Sequence, residues 1–344
     1  MTLCKQCCWW HPNRGDIPEK PGGEEKMCLH PRIYIPTWDD FGCNEAIAAD
    51  STQANVPNHT PDGQVSMNNT TPVDGPVEIL IVTHSKDFPW LVYALRSIRK
   101  YLTGFQGVTI AHPRKDLQQF QTLHHQFDVR LWPYDEAEGK GMIQHMAKMA
   151  QADLIVPTGT KYVLHSDADC IFRMPTSPAD YFQNGKPYYL IRTWDSLIAD
   201  DPRDPRKKVI SDCHQWRRPT EAQLGFNSPW YTMCMNTAVL PIGFYRPYRA
   251  HIEKVQDQPF ERYMITGQNR FPQTRMDWTA MGAWAKEFMP DAFTWIDVMK
   301  DQYPEDRKQA FWSHGGISEE TRVQLEELLR WKATPEELER MTTD

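Results

Sequence analysis

Lys161-Tyr-Val-Leu-His-Ser-Asp-Ala-Asp-Cys-Ile-Phe172 is the stretch on which the fold turns. Its opening, Lys161-Tyr-Val-Leu-His165, is a short apolar run of the kind that fills the middle of a parallel sheet. Two aspartates, Asp167 and Asp169, follow at once, and the apolar pair Ile171-Phe172 comes directly after them. Upstream, Val77-Glu-Ile-Leu-Ile-Val-Thr83 reads as another buried strand, followed by Phe88, Leu91, Val92, Leu95, Ile98 and Leu102 at helical spacing. Gly107–Ala111 and Phe127–Leu131 read as further strands, and Gly141 to Ala150 as a helix. Strands alternating with helices at these intervals predict an α/β fold, an open and mostly parallel sheet with flanking helices. In such sheets ligands bind beyond the carboxyl ends of the strands, where Thr83, His84, Asp87 and the His165–Asp169 run fall.

The second half is less regular. Tyr188–Arg192 and Trp230–Leu240 read as strands, Tyr248–Val255 as a helix, Asp277–Phe288 as a helix, and Phe293–Val298 as a strand. Glu319–Trp331 reads as a surface helix, and Thr334-Pro-Glu-Glu gives a capped start to a last short one.

The chain has 344 residues, with 45 Asp and Glu against 38 Lys and Arg and a net charge of −7. That balance leaves no global electrostatic footprint for nucleic acid, although a local basic patch can still serve. Its longest apolar run, around Val77–Val82, is too short to span a bilayer, and the opening MTLCKQCCWWHP has no apolar leader core. The expectation is a cytoplasmic protein.

Of eight cysteines, five fall within the first 43 residues. In a reducing compartment a disulfide framework is the weaker reading. Cys4-x-x-Cys7 has the spacing of a zinc knuckle, and Cys28 and Cys43 complete a four-thiolate structural Zn²⁺ site, with His11 or His30 as substitutes for one ligand. Free thiols on a loose tail are the alternative. Residues 46–76 are rich in Asn, Thr, Pro, Asp and Gly and read as a linker. The organisation expected is a zinc-binding module over 1–45, the linker over 46–76, the α/β domain over 77–316 and C-terminal helices over 317–344.

Asp167 and Asp169, two apart at a strand end, can turn toward one divalent ion. Hard oxygen ligands suit Mg²⁺ or Mn²⁺, which keep coordination places for substrate phosphate. A solvated turn after a strand, where Asp is common, is the plainer reading of the same residues.

The segment from Gly139 through Gln144 and Lys148, followed by KYVLHSDADCIF, resembles the core of GT-A nucleotide-sugar glycosyltransferases of bacterial and phage type. The opening Val82-Thr-His-Ser-Lys-Asp87 resembles their first strand and nucleotide-binding loop. The resemblance covers roughly Val77 to Gly316. It implies a GT-A-like sheet, a nucleotide-diphosphate sugar such as a UDP-sugar as donor, and Asp167 and Asp169 as the metal and diphosphate residues. Thr83, His84 and Asp87 would line the nucleotide, with His112 and Arg114 as weaker candidates, and Lys148 would reach a phosphate. His314, beside Gly315 and Gly316, would bind the metal or a phosphate. Asp277, in Arg275-Met-Asp-Trp-Thr-Ala-Met-Gly282, resembles the catalytic carboxylate of inverting members and would act as base. An Asp at a helix start is equally an ordinary cap.

For the acceptor, Arg203 to Arg218 gathers six basic residues, with Trp194 and Trp216 near them in sequence. Trp194, Trp216, Arg217 and Arg218 are the acceptor-binding candidates, since basic residues among aromatics grip phosphates and stack bases. The sharper expectation is DNA carrying hydroxymethylated pyrimidines, as with phage enzymes that glycosylate their own genomes. The alternative is a loop over the active site, with a saccharide or protein acceptor. Two other classes stay open. A nucleotidyltransferase would need an early Gly-rich phosphate loop, which Thr83–Asp87 lacks. A non-catalytic zinc-bearing interaction protein would not depend on the two aspartates.

Overall fold

Val77–Val82 forms β1 with all six side chains buried, as a strand covered on both faces requires. The computed structural model describes residues 73–137, 141–197, 213–234, 238–266, 277–304, 307–311 and 316–334. The cysteine module, most of the 46–76 segment, Arg203–Lys208, His314 and the helix expected after Thr334 lie outside the described residues. After β1 come α1 (Phe88–Tyr101), β2 (Gly107–Pro113), α2 (Leu117–Phe127), β3 (Arg130–Tyr134), α3 (Gly141–Met149), α4 (Ala152–Ile155) and β4 (Tyr162–His165). Then follow β5 (Cys170–Phe172), β6 (Phe182–Gln183), β7 (Lys186–Thr193), α5 (Arg217–Leu224), β8 (Trp230–Tyr231) and β9 (Val239–Pro241). The rest is α6 (Tyr245–Gln256), α7 (Phe260–Ile265), α8 (Trp278–Phe288), β10 (Thr294–Asp297), β11 (Lys308–Ala310) and α9 (Glu319–Leu329).

The main sheet runs β3-β2-β1-β4-β9, with the first four strands parallel and β9 antiparallel on β4. The period-2 alternation of β1 divides two cores. Ile79 and Ile81 pack with Leu91 and Leu95 of α1 and Phe120 of α2, while Leu80 and Val82 pack with Met146 of α3 and Tyr245 of α6. Each fully buried aliphatic side chain contributes about 2 kcal/mol of burial. Glu78, which interrupts the apolar run, is buried but satisfied by Thr109 Oγ1 at 2.7 Å and by the Arg130 guanidinium.

Strand order reverses beside β1: β2 and β3 lie on one side and β4 on the other. This is the switch point at which a crevice opens beyond the carboxyl ends. A second sheet, β10-β7-β6 with β8 on β7, packs alongside, and β11 pairs antiparallel with β5. At the far end α9 docks on α1, where Lys100 Nζ donates to the Leu329 carbonyl at 2.8 Å and so places a cation at the helix C-terminus. No helix among the described residues is long and apolar enough to cross a membrane.

Two expected strands differ. The strand expected from Phe127 begins at Arg130, because α2, which the periodicity did not single out, runs through Phe127 and ends on Asp128 in the left-handed conformation at φ 56°. The strand expected over Trp230–Leu240 is two short ones, β8 and β9, belonging to different sheets.

Candidate active site

The chain leaves β4 at His165 and turns back on itself through Asp167, where the Cys170 N–H donates to the Asp167 carbonyl at 3.2 Å. The turn is bolted on both sides. Ser166 N–H donates to the Leu80 carbonyl of β1 at 3.1 Å, and Phe311 N–H donates to the Asp169 carbonyl at 2.9 Å. Carboxylate oxygens of Asp167 and Asp169 and the thiol of Cys170 lie within 4.8 Å of one another. Burial pushes Asp167 above the ordinary carboxylate range. The Lys308 ammonium opposes this, and the charge of Asp87 adds to it.

These residues fit a divalent ion of the hard class. Two carboxylates converge on one point and leave further positions for phosphate oxygens. Burial drives the Cys170 thiol up to about 12, and it stands in a hydrogen bond to Lys308.

From β1, His84 Nε2 lies 3.4 Å from Asp87 Oδ2. Thr83 Oγ1 and His84 Nδ1 are buried and meet no hydrogen-bond partner among the described residues. His112, at the end of β2, is fully buried and stacks on Phe120 at 4.4 Å. Its Nδ1 lies 2.9 Å from the Pro113 carbonyl, so that nitrogen carries the proton, and Nε2 faces no partner among the described residues. Burial holds its pKa below the ordinary value. The carboxyl ends of β1 and β2 thus present three polar atoms without a partner among the described residues, an expensive arrangement unless another group engages them.

Asp277 caps α8, accepting from the Trp278 N–H at 2.6 Å. Burial, with the repulsion of Asp167 in addition, raises its carboxyl to about 6. The two aspartates therefore share one electrostatic neighbourhood although they come from distant parts of the sequence. His165 joins them physically: its ring meets Trp278 edge-to-face at 5.3 Å.

The remaining candidates divide. Lys148 is buried, with Nζ held by Gln151 and Glu261, each at 2.9 Å, so a phosphate contact would have to break a packing ion pair. Trp194 is fully buried against Leu197 and Tyr231, and an enclosed indole offers no face to an acceptor. Trp216 is half-buried, Arg217 pairs with Glu221 at 2.9 Å and Asp195 at 3.4 Å, and Arg218 is exposed. Arg114 is engaged by Asp135 at 2.8 Å. His314 lies outside the described residues.

Three nearby residues escaped the sequence reading. His145, on α3, is pushed down to about 4, chiefly by burial and then by His84; a lone histidine in an apolar helix beside Gln144 was the available signal. Lys308 and Cys170 carried no signal, because a lysine in a polar C-terminal stretch does not announce burial.

No protein family and no curated protein matches this sequence. Among solved structures, the galactosyltransferase LgtC in complex with donor and acceptor sugar analogues is similar over 77% of this chain and 99% of its own, at TM-score 0.43 and 9% identity. The apo glycosyltransferase GlyE of Streptococcus pneumoniae TIGR4 matches over 64% of this chain and 45% of its own, at TM-score 0.32 and 9% identity. A 4-diphosphocytidyl-2C-methyl-D-erythritol synthase from Anaerococcus prevotii matches over 28% of this chain and 45% of its own, at TM-score 0.21 and 8% identity.

Proposed function

We propose that this chain is a metal-dependent glycosyltransferase that moves a sugar from a nucleotide-diphosphate sugar, a UDP-sugar in the first instance, to a hydroxyl acceptor. The observation that carries this reading is the pairing of the Asp167–Asp169 turn, at the switch point of a parallel sheet, with a base-like Asp277 in the same electrostatic neighbourhood. The Thr83, His84 and His112 atoms that meet no partner among the described residues support a nucleotide lying across the ends of β1 and β2.

In this mechanism Asp167 and Asp169 would hold Mn²⁺ or Mg²⁺, which would supply positive charge against the departing diphosphate. His314 remains a proposed third ligand. Thr83, His84 and Asp87 orient the nucleotide. Asp277 accepts the acceptor hydroxyl's proton as that oxygen bonds to the anomeric carbon. The bond from that carbon to the diphosphate oxygen breaks, and its electron pair leaves with the nucleotide. A carboxyl raised to about 6 suits a general base, because it is ionised at neutral pH yet more basic than an ordinary aspartate. The acceptor face is assigned to Trp216, Arg217 and Arg218, which follow the 203–208 basic run in sequence. DNA bearing 5-hydroxymethylpyrimidines is the acceptor to test first, against a saccharide or protein acceptor, with Zn²⁺ on Cys4, Cys7, Cys28 and Cys43 proposed as a structural staple.

The test is nucleotide release from UDP- and GDP-sugars with Mn²⁺, with and without DNA containing 5-hydroxymethylcytosine or 5-hydroxymethyluracil. Release stimulated by the modified DNA supports both donor and acceptor. Release indifferent to DNA keeps the donor assignment and moves the acceptor to saccharide or protein. No release from any donor, together with no metal-dependent nucleotide binding, rejects the reading.

A further inference from the structure

Lys308 is a lysine with only 2% of its surface exposed. It lies on β11 directly opposite Phe172 of β5, and the same ribbon pins the Asp169 carbonyl through Phe311 N–H at 2.9 Å. The lysine is thus fixed to the strand that immediately follows the two-aspartate turn. Its ammonium donates to the Cys170 thiol, and its charge acts on Asp167. A buried ammonium is costly, and a methionine would pack a sheet ribbon without that cost. The charge answers to the aspartates rather than to the packing.

We propose that Lys308 is the resident counter-cation of the Asp167–Asp169 corner, weakening its hold on a bare divalent ion so that the ion binds well only together with a nucleotide diphosphate. The inference rests on the glycosyltransferase reading. A fixed lysine offsets part of the negative charge of this corner, to which Asp87 and Asp277 add, and so weakens it as a site for a bare divalent cation. A diphosphate brings enough negative charge to outweigh the lysine and is itself attracted to it. Metal and nucleotide therefore bind with positive coupling, and by linkage each raises the other's affinity by the same factor. An aspartate pair without such a lysine would load metal first and nucleotide second.

The measurement is Mn²⁺ binding to the full-length protein, by the electron paramagnetic resonance signal of free Mn²⁺, with and without UDP. In the wild-type protein, UDP is expected to tighten Mn²⁺ binding at least tenfold. Lys308→Met is expected to bind Mn²⁺ alone at least tenfold more tightly and to lose most of the coupling, while Lys308→Arg keeps both wild-type values. A folded Lys308→Met with unchanged or weaker affinity for Mn²⁺ alone overturns the role of Lys308 and leaves the donor reading standing. Wild-type protein that binds Mn²⁺ equally well with and without UDP overturns it too, with no variant needed. Wild-type protein that binds Mn²⁺ in neither condition rejects the donor reading, and this inference with it.

Discussion

Tyr245 Oη and His165 Nε2 share a hydrogen bond of 2.7 Å. Burial brings His165 down to about 3, so the ring is neutral, while Tyr245 is held well above its ordinary value and keeps its proton. The bond ties the carboxyl end of β4 to α6. The same ring also meets Trp278, the residue after Asp277. One histidine thus sets the distance between the proposed metal corner and the proposed base.

Tyr245→Phe removes the hydroxyl partner and leaves a buried imidazole nitrogen unsatisfied. The expected cost is about 1–3 kcal/mol, read as a lower midpoint in urea unfolding. A midpoint equal to wild type would show that the bond does not organise this junction.

Asp277→Asn keeps an oxygen to accept the Trp278 N–H but cannot take up a proton. Turnover should fall by roughly 10²–10⁴-fold with little change in donor KM. Steady-state nucleotide release decides it, and near-normal kcat in a folded variant would remove Asp277 from the mechanism.

The pH profile follows from the same group. The base must be ionised, so kcat/KM should drop on acidification with an apparent pKa near the value of about 6 set by burial and Asp167. A flat profile between about pH 5 and pH 7.5 contradicts this.

Stability carries the opposite sign. A carboxyl raised in the fold binds more protons there than in the unfolded chain, so its ionisation destabilises the protein as pH rises from about 4 through about 6. Asp277→Asn should therefore be more stable than wild type at about pH 8, by at most about 3 kcal/mol, and nearly equal to it at about pH 4. Thermal melts at the two pH values test the difference. A variant that gains nothing over wild type between the acid and the alkaline melt refutes it.

Gly282 sits where α8 crosses β7 and β8. A Cβ there would collide with Thr232 Oγ1 and meet Tyr189 Oη at 2.9 Å. Gly282→Ala should cost about 1–3 kcal/mol by overpacking and lower activity by shifting the start of α8. Unchanged melting would mean that the helix moves freely at this crossing.

Much of the architecture was legible because it is local. The six-residue apolar run at Val77, the helical spacing from Phe88 and the aspartates directly after Tyr162–His165 each follow from a pattern within one segment, and together they place the crevice at the ends of β1 and β4. Asp277 was legible as a helix cap, since capping depends on neighbours in sequence. Tertiary packing decided the rest. Trp194 looked like a stacking face and is sealed in a core; Lys148 looked like a phosphate ligand and is engaged by Glu261. Lys308, which the sequence reading did not single out, is buried on the strand paired with the one that follows the aspartates. Burial and charge pairing between distant segments are set by how the elements pack, and no period within a segment encodes them. The sequence determined the elements and the strand ends that carry the aspartates, whereas only the tertiary structure decided which charges face one another there.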